Sequence, residues 1–304
     1  MSTYDAPALR PNIVEDLIPG SAGWTKCVTA SKISGILGLS SWASPYSLWA
    51  DAVGVTEPRT PDAVALKRYD RGHRLEAVLL QYLADWFQEQ GLKMRVRPGA
   101  TVRHPDGLDR YANPDGWVYE GRRRTPWAAV EAKTSFHATD WGEEGTADIP
   151  ATYLAQCAWQ MYITGLRVVF VPALVGLEFR VYVVRWEDVA EAIPGILERV
   201  EEWEQHVRDQ TPPALDGLEV TLAAVRQSHP QIDRGRAVAL SAETAQALTA
   251  ARNARAEAEA AEREAKARAL AEAGQAQILT DPWGTPVARR QAKGQGTPYL
   301  TMMK

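Results

Sequence analysis

The chain has 304 residues, room for one large domain or for a domain with an appendage. Its apolar share of 45% is ordinary for a globular protein, and a formal net charge of −4 excludes a uniformly basic, nucleic-acid-coating protein without excluding a local basic groove. Two distant cysteines, Cys27 and Cys157, exclude a disulfide framework and a four-cysteine metal site, and fit reduced thiols in a cytoplasmic protein.

Residues 1–20 carry three prolines and little periodicity, and read as an irregular arm. In Val28–Gly38, Thr29 or Ser31 starts a short helix that Gly38 ends. A hydroxyl beside free N–H groups at a helix start is either a plain cap or an anion site. Ser44-Pro45 opens a second helix, running through Leu48, Trp49 and Val53 to Gly54. Residues 62–90 follow a long helical pattern, interrupted at Gly72-His73. Glu76 borders its apolar stripe, either solvated or aimed into a cleft.

From Gly91 the apolar period falls to two. Lys93–Arg97 reads as a strand, Pro98-Gly99 as a turn and Ala100–Arg103 as the returning strand of a hairpin. Tyr111–Tyr119 and Trp127–Lys133 are the next strands. The run Arg122-Arg123-Arg124 between them reads as a solvated turn before a phosphate clamp. His137–Ile149 is a polar loop long enough to be functional. Thr152–Thr164 is a helix that places Tyr153, Gln156 and Gln160 on one face, a pattern that suits the polar side of an amphipathic helix. Two strands, Val168–Leu174 and Phe179–Val184, turn near Gly176. The charges within Leu166–Trp186 argue against a membrane span. A charged helix over Glu187–Arg208 closes this part.

Thr211-Pro212-Pro213 marks a boundary, so a domain is expected over 21–210 and an extension over 215–304. Within the extension, Ala242–Glu272 predicts a helix of about 46 Å with a thin packing stripe. Thr285–Arg290 and Thr297–Met302 predict a hairpin with Arg289, Arg290 and Lys293 near its tip.

The chemistry concentrates in Trp127–Ser135. On a strand, Glu131 and Lys133 share one face, with Val130 and Ala132 turned to a core. A carboxylate that holds a divalent cation, beside an ammonium that steadies the attacking oxygen or the charge on a phosphate, suits metal-dependent phosphodiester hydrolysis. Asp115, in Asn113-Pro114-Asp115-Gly116, completes the pattern D…ExK. Alone, Glu-x-Lys recurs by chance and reads more readily as a surface ion pair on a half-buried strand.

The ordered set resembles the YqaJ-type viral recombinase family, phage alkaline exonucleases similar to lambda exonuclease in the PD-(D/E)xK nuclease superfamily. The resemblance rests on four stretches: Val28–Gly38 with Ser44-Pro45…Leu48-Trp49; Gly72-His73-Arg74-Leu75-Glu76; Asn113–Gly116 with Glu131-Ala132-Lys133; and Ile149-Pro150…Tyr153…Gln156…Met161-Tyr162…Gly165. It implies an α/β (α+β), restriction-endonuclease-like fold, a mixed central sheet flanked by helices. It implies a metal-dependent exonuclease that degrades linear double-stranded DNA 5′→3′ and leaves 3′ single-stranded tails for recombination. It also implies a single-strand annealing protein as partner, a ring-shaped homotrimer and a place in a bacterial cytoplasm.

Carried over by position, Asp115 and Glu131 match the carboxylate metal ligands, with the Ala132 carbonyl as a further oxygen and Glu76 as a supporting carboxylate. Lys133 matches the catalytic lysine and Gln156 the glutamine beside it. An oxygen-only set suits Mg²⁺ or Mn²⁺, and two ions can share the work. Ser31 matches the serine near the 5′-phosphate pocket. Trp24 stands where better-known members have an arginine, which leaves Lys26 as the substitute cation. Lys32, Arg68, Arg71 and Arg74 are the expected local positive charge for DNA. Two alternatives remain open: a structure-specific or nicking endonuclease of the same superfamily, and an inactive DNA-end-binding or scaffold protein.

Overall fold

The computed structural model describes residues 12–14, 17, 22–56 and 63–303, so most of the expected N-terminal arm lies outside it. The chain divides into two compact units, Met1–Ile232 and Asp233–Lys304.

The first unit begins with α1 (Ala22–Lys26), β1 (Val28–Thr29), α2 (Ala30–Ile36) and α3 (Pro45–Val53). The start of α3 is a reciprocal cap. The Ser47 N–H donates to Ser44 Oγ at 3.0 Å, the Ser44 N–H donates to Ser47 Oγ at 2.9 Å, and Pro45 needs no acceptor at the first position. Then comes α4 (Ala63–Glu89), one unbroken helix of 27 residues. The interruption expected at Gly72-His73 does not occur. A mid-helix glycine costs only about 1 kcal/mol, and burial of Leu79, Leu83 and Phe87 on the same helix offsets it.

The strands are β2 (Met94–Pro98), β3 (Val102–Arg103), β4 (Arg110–Ala112), β5 (Gly116–Glu120), β6 (Ala128–Val130) and β7 (Lys133–Ser135). After α5 (Ala151–Thr164) come β8 (Val168–Val175) and β9 (Glu178–Arg185). The main mixed sheet runs β2-β5-β6-β8, with β7 and β9 also paired to β8; β6 and β7 pair with β8 in parallel and the other pairs are antiparallel. A small second sheet has the order β1-β4-β3. The expected 93–103 hairpin is therefore absent. β2 pairs with β5, β3 pairs with β4, and Gly99 is where the backbone passes between sheets. The Gly99 N–H donates to the Asp115 carbonyl at 2.9 Å, and a Cβ at Gly99 would stand 1.7 Å from the Pro114 carbonyl oxygen. Only glycine allows that approach.

Alternation along the strands divides the core between two faces. Val118, Ala128, Val130 and Phe170 pack with Leu83 and Phe87 of α4. Trp117, Ala129, Val169 and Val171 join the cluster that contains Ala158 and Trp159 of α5. The Trp159 indole donates to the Tyr111 carbonyl at 2.9 Å and ties α5 to β4. The long loop before α5 lies along the outer edge of β9. Its Gly145 N–H donates to the Val181 carbonyl, and the Val181 and Val183 N–H groups donate to Glu144 Oε1 and the Thr146 carbonyl. That covers an otherwise open strand edge.

The expected helix over Glu187–Arg208 is α6 (Trp186–Val189), a 3₁₀ turn at Ala190–Ala192 and α7 (Ile193–Asp209). Pro194 lacks the N–H to continue a helix and sits in the first turn of α7. Arg110 forks onto Glu204 at 3.0 and 2.8 Å, joining β4 to α7. Beyond the proline pair, α8 (Glu219–Ser228) still belongs to this unit: Val220 and Ala224 are buried, and Thr221 donates to Ser44 Oγ at 2.6 Å. The sequence boundary near 215 thus falls ahead of the structural division.

In the second unit, α9 (Ala242–Ala273) buries no residue and is laced by the i,i+4 pairs Arg255–Glu259, Lys266–Glu262 and Arg268–Glu264. β10 (Ile278–Thr280), β11 (Pro286–Gln291) and β12 (Tyr299–Met302) form an antiparallel sheet, one strand more than the expected hairpin. Among the described residues, no helix is long and apolar enough to cross a membrane. Cys27 and Cys157 are buried and unbridged.

Candidate active site

A cleft of about 260 Å³ opens between α4 and the broken strand β6–β7. Glu76, Asp115, Glu131, Ala132 and Lys133 line it, with His73 at its α4 wall. The expected strand over Trp127–Lys133 is interrupted at Glu131-Ala132, yet the pairing to β8 keeps one register on both sides, Val130 to Phe170 and Lys133 to Ala173. That register sets Pro172 opposite Ala132. Proline has no N–H to give, so the ladder lapses there. The Glu131 N–H still donates to the Phe170 carbonyl at 2.9 Å. The next N–H, of Ala132, points the other way and donates to Asp115 Oδ2 at 2.7 Å. The gap in the strand is filled by the carboxylate of the upstream motif.

Glu131 is 2% exposed and fully engaged. Its Oε1 accepts from Lys133 Nζ and, at 2.6 Å, from Gln156 Nε2; its Oε2 accepts from Gln160 Nε2. Lys133 also donates to Gln156 Oε1 at 3.1 Å, and its ammonium stands 4.9 Å from the Tyr153 ring centroid. The face of α5 that presents Tyr153, Gln156 and Gln160 is therefore the wall of the site and not a solvated side. Gln160 is the site residue that sequence reasoning misses, since it reads as part of a polar face. The available signal is its i,i+4 spacing from Gln156, which aims two amides at one point. Gln160 is completely buried, and its Oε1 has no partner among the described residues.

Three carboxyl groups and one lysine meet in the cleft. Burial pushes the Asp115 carboxyl well above its usual range, and Glu131 and then Glu76 push further, against Lys133 and the Ala132 N–H. Burial also raises Glu76, helped by Glu131 and opposed by His73 and Lys133. For Lys133 burial pulls the pKa down, but Glu131 and Asp115 more than offset it and hold the ammonium above its usual value. Among the described residues no three Asp, Glu, His or Cys side chains close into a metal cage.

The four residues expected at a DNA phosphate do not line this cleft. Ser31 is exposed near the start of α2, its hydroxyl 3.0 Å from that of Thr29, and Lys26 is exposed at the end of α1. Arg74 pairs with Asp70 on the surface of α4 at 2.8 Å. Lys32 is a correction: it is 2% exposed, and its Nζ donates to the carbonyls of Trp24, Thr25 (2.9 Å) and Cys27 (2.8 Å). All three ammonium donors are spent on the backbone at the end of α1, which leaves none for a phosphate. Arg71 lies 4.8 Å from the Phe136 ring, and the Arg68 side chain is outside the described residues.

Residues 23–167 match the YqaJ-like viral recombinase domain. The chain is 26% identical over 228 residues to the uncharacterized protein YqaJ of Bacillus subtilis (strain 168), an alignment that covers 71% of this chain and 65% of that protein's length. It is similar in structure to LHK-Exo, an alkaline exonuclease from Laribacter hongkongensis, at 17% identity and a TM-score of 0.43, covering 63% of this chain and 94% of that one. The same exonuclease in complex with dAMP gives 18% identity, a TM-score of 0.43 and coverages of 62% and 93%.

Proposed function

We propose, from the match of residues 23–167 to the YqaJ-like viral recombinase domain, that the protein is a divalent-metal-dependent deoxyribonuclease that degrades linear duplex DNA from its ends in phage-type recombination. The observation that carries this reading is the convergence of Asp115, Glu131, Ala132, Lys133 and Glu76 on one cleft. The finer features are 5′→3′ polarity, 3′ single-stranded products, an annealing partner and a trimeric ring, and they belong to the same proposal.

The donor set fits a hard cation. Asp115 Oδ2 is shared with one N–H, its other oxygen has no bond among the described residues, and the cleft gathers three carboxyl groups beside one lysine. Magnesium accepts one or two carboxylates with water in its other positions, so a closed protein cage is not required. Asp115, Glu131 and the Ala132 carbonyl would hold it, with Glu76 across the cleft. Such a cation supplies charge stabilisation at the phosphate and a more acidic water.

The protein's own residues do the rest. Lys133 stays protonated, so it acts as a hydrogen-bond donor to the attacking water or to the charge that grows on the phosphoryl oxygens, not as a base. Gln156 bridges Lys133 and Glu131 and holds the ammonium on line. Water attacks phosphorus and gives up a proton to bulk solvent as the new P–O bond forms, the bond to the leaving ribose oxygen breaks, and that oxygen takes a proton from solvent.

The test is Mg²⁺-dependent cleavage of 5′-phosphorylated linear duplex and of closed circular duplex, with Lys133→Ala alongside. Loss of the linear form alone, by wild type alone, is the expected result. Cleavage of the circle would move the reading to an endonuclease, and intact linear duplex would sink the nuclease reading.

A further inference from the structure

A second concavity, of about 600 Å³, lies at the free edge of the main sheet, lined by Arg95, Arg97, Tyr119 and the turn Arg122-Arg123-Arg124. All five arginines are exposed. The sequence offers Arg122–Arg124 as a plain solvated turn, but the fold adds two strand arginines and fixes the turn against them. Arg95 Nε donates to the Gly121 carbonyl and Arg95 Nη2 to the Arg123 carbonyl, both at 2.8 Å, while its guanidinium lies 5.4 Å from the Tyr119 ring. Arg123 pairs with Glu120 at 3.4 Å. Among the described residues Arg97, Arg122 and Arg124 enter no salt bridge. Like charges gathered at one edge repel, so the cluster is most stable with an anion across it.

The cluster and the Asp115 motif lie at opposite ends of β5. In the register of β2 and β5, Arg95 stands opposite Tyr119 and Arg97 opposite Trp117. Trp117 and Tyr119 alternate onto the side of β5 that α5 covers, and Asp115 immediately precedes the strand. From Asp115 to Tyr119 is four residues, roughly 13 Å along the strand. That is about the rise of four nucleotides of B-form backbone at ~3.4 Å each.

We propose that this arginine cluster is a DNA-backbone site, holding consecutive phosphates of a duplex several nucleotides from the phosphate being cut. The breadth of the cluster suits a row of phosphodiesters better than a single phosphate, and guanidinium groups take phosphate oxygens two at a time. The proposal rests on DNA being the substrate, but not on cleavage.

The experiment uses the full-length protein and a fluorescein-labelled 30-base-pair duplex in EDTA, with anisotropy followed from low to high KCl. Each lost phosphate contact lowers the slope of log K against log[salt] by about 0.9. The variant Arg97→Gln/Arg122→Gln/Arg124→Gln is expected to lower that slope by about 2 to 3 and to weaken binding about tenfold or more at moderate salt. The charge-matched control Arg199→Gln/Arg208→Gln/Arg226→Gln, exposed on α7 and α8, is expected to leave the slope unchanged. An unchanged slope in the first variant, an equal loss in the control, or no duplex binding by wild type overturns the proposal. Added inorganic phosphate at constant ionic strength is expected not to displace the duplex, and displacement at low millimolar phosphate would instead mark a single-phosphate site and overturn it. A wild type that binds DNA without cutting it in Mg²⁺ would fail the nuclease reading and leave this one standing.

Discussion

Lys32 and Lys133 are both taken out of water, and they meet opposite surroundings. The Lys32 ammonium is held by three backbone carbonyls and the Trp24 ring, with no carboxylate in contact among the described residues. Carbonyl dipoles offset only part of the lost hydration, so burial pulls its pKa down to about 8. Lys133 is bonded to Glu131, with Asp115 nearby, and is held above its usual value. The same residue type is a peg on backbone carbonyls in one place and the partner of a buried carboxylate in the other. Lys32 closes the end of α1 by donating to its last free carbonyls. Lys133 keeps a full charge beside the carboxylates of an open cleft.

The contrast breaks most sharply by substitution. Lys133→Ala is expected to lower the rate of duplex cleavage in Mg²⁺ by about 10²–10³-fold, the usual loss when a donor to developing charge is removed. Lys32→Met is expected to leave the cleavage rate per folded molecule within about twofold, and to lower stability in urea by about 3 kcal/mol, because three carbonyls lose their donor. If Lys32→Met abolished cleavage in a folded protein, the peg reading of Lys32 would be wrong.

The two lysines also separate in pH. The folded pKa of Lys32 lies below its unfolded value, so below pH 8 both states are charged and the cost of burial is fully present. Between about pH 8 and 10.5 the unfolded state holds a proton that the folded state has lost, and stability from this group rises with pH. For Lys133 the folded pKa is raised, so its contribution is complete below the unfolded pKa and is lost only above it. The stability of wild type relative to Lys32→Met, measured by urea unfolding from pH 7 to 10, should therefore climb by up to about 3 kcal/mol. A flat difference would mean that the three carbonyls hold Lys32 at an ordinary pKa.

The smallest expected effect sharpens the Lys133 side. Gln160→Met removes the donor to Glu131 Oε2 and, with it, an acceptor that has no partner among the described residues. The two terms oppose, so stability should shift by less than about 1 kcal/mol. The cleavage rate should still fall about tenfold, because Glu131 loses one of the bonds that aim it. Circular dichroism melts and initial rates on linear duplex read the two separately.

Much of this is legible in the order of the residues. The helices α4, α5 and α9 begin and end within one residue of their periodic patterns, and the Ser44-Pro45 cap behaves as its residue types require. Asp115, Glu131 and Lys133 follow from order and spacing, Glu76 and Gln156 from the family resemblance, and the fold brings them together. What cannot be read depends on partners far away in sequence. Whether Lys32 faces solvent or three carbonyls depends on how α1 docks. Whether β2 pairs with β3 or β5 depends on a clearance at Gly99 that involves Pro114. Gln160 gains its meaning from a carboxylate 29 residues upstream.

Pro172 has a consequence outside the motif it serves. By withholding the N–H that would meet the Glu131 carbonyl, it opens the strand that carries the candidate site between β6 and β7. The instruction for that opening is written some forty residues downstream, on a strand with no chemistry of its own. Grafting Glu131-Ala132-Lys133 onto another parallel sheet would carry the side chains and leave the opening behind. A transplant of this site has to take the neighbouring strand with it.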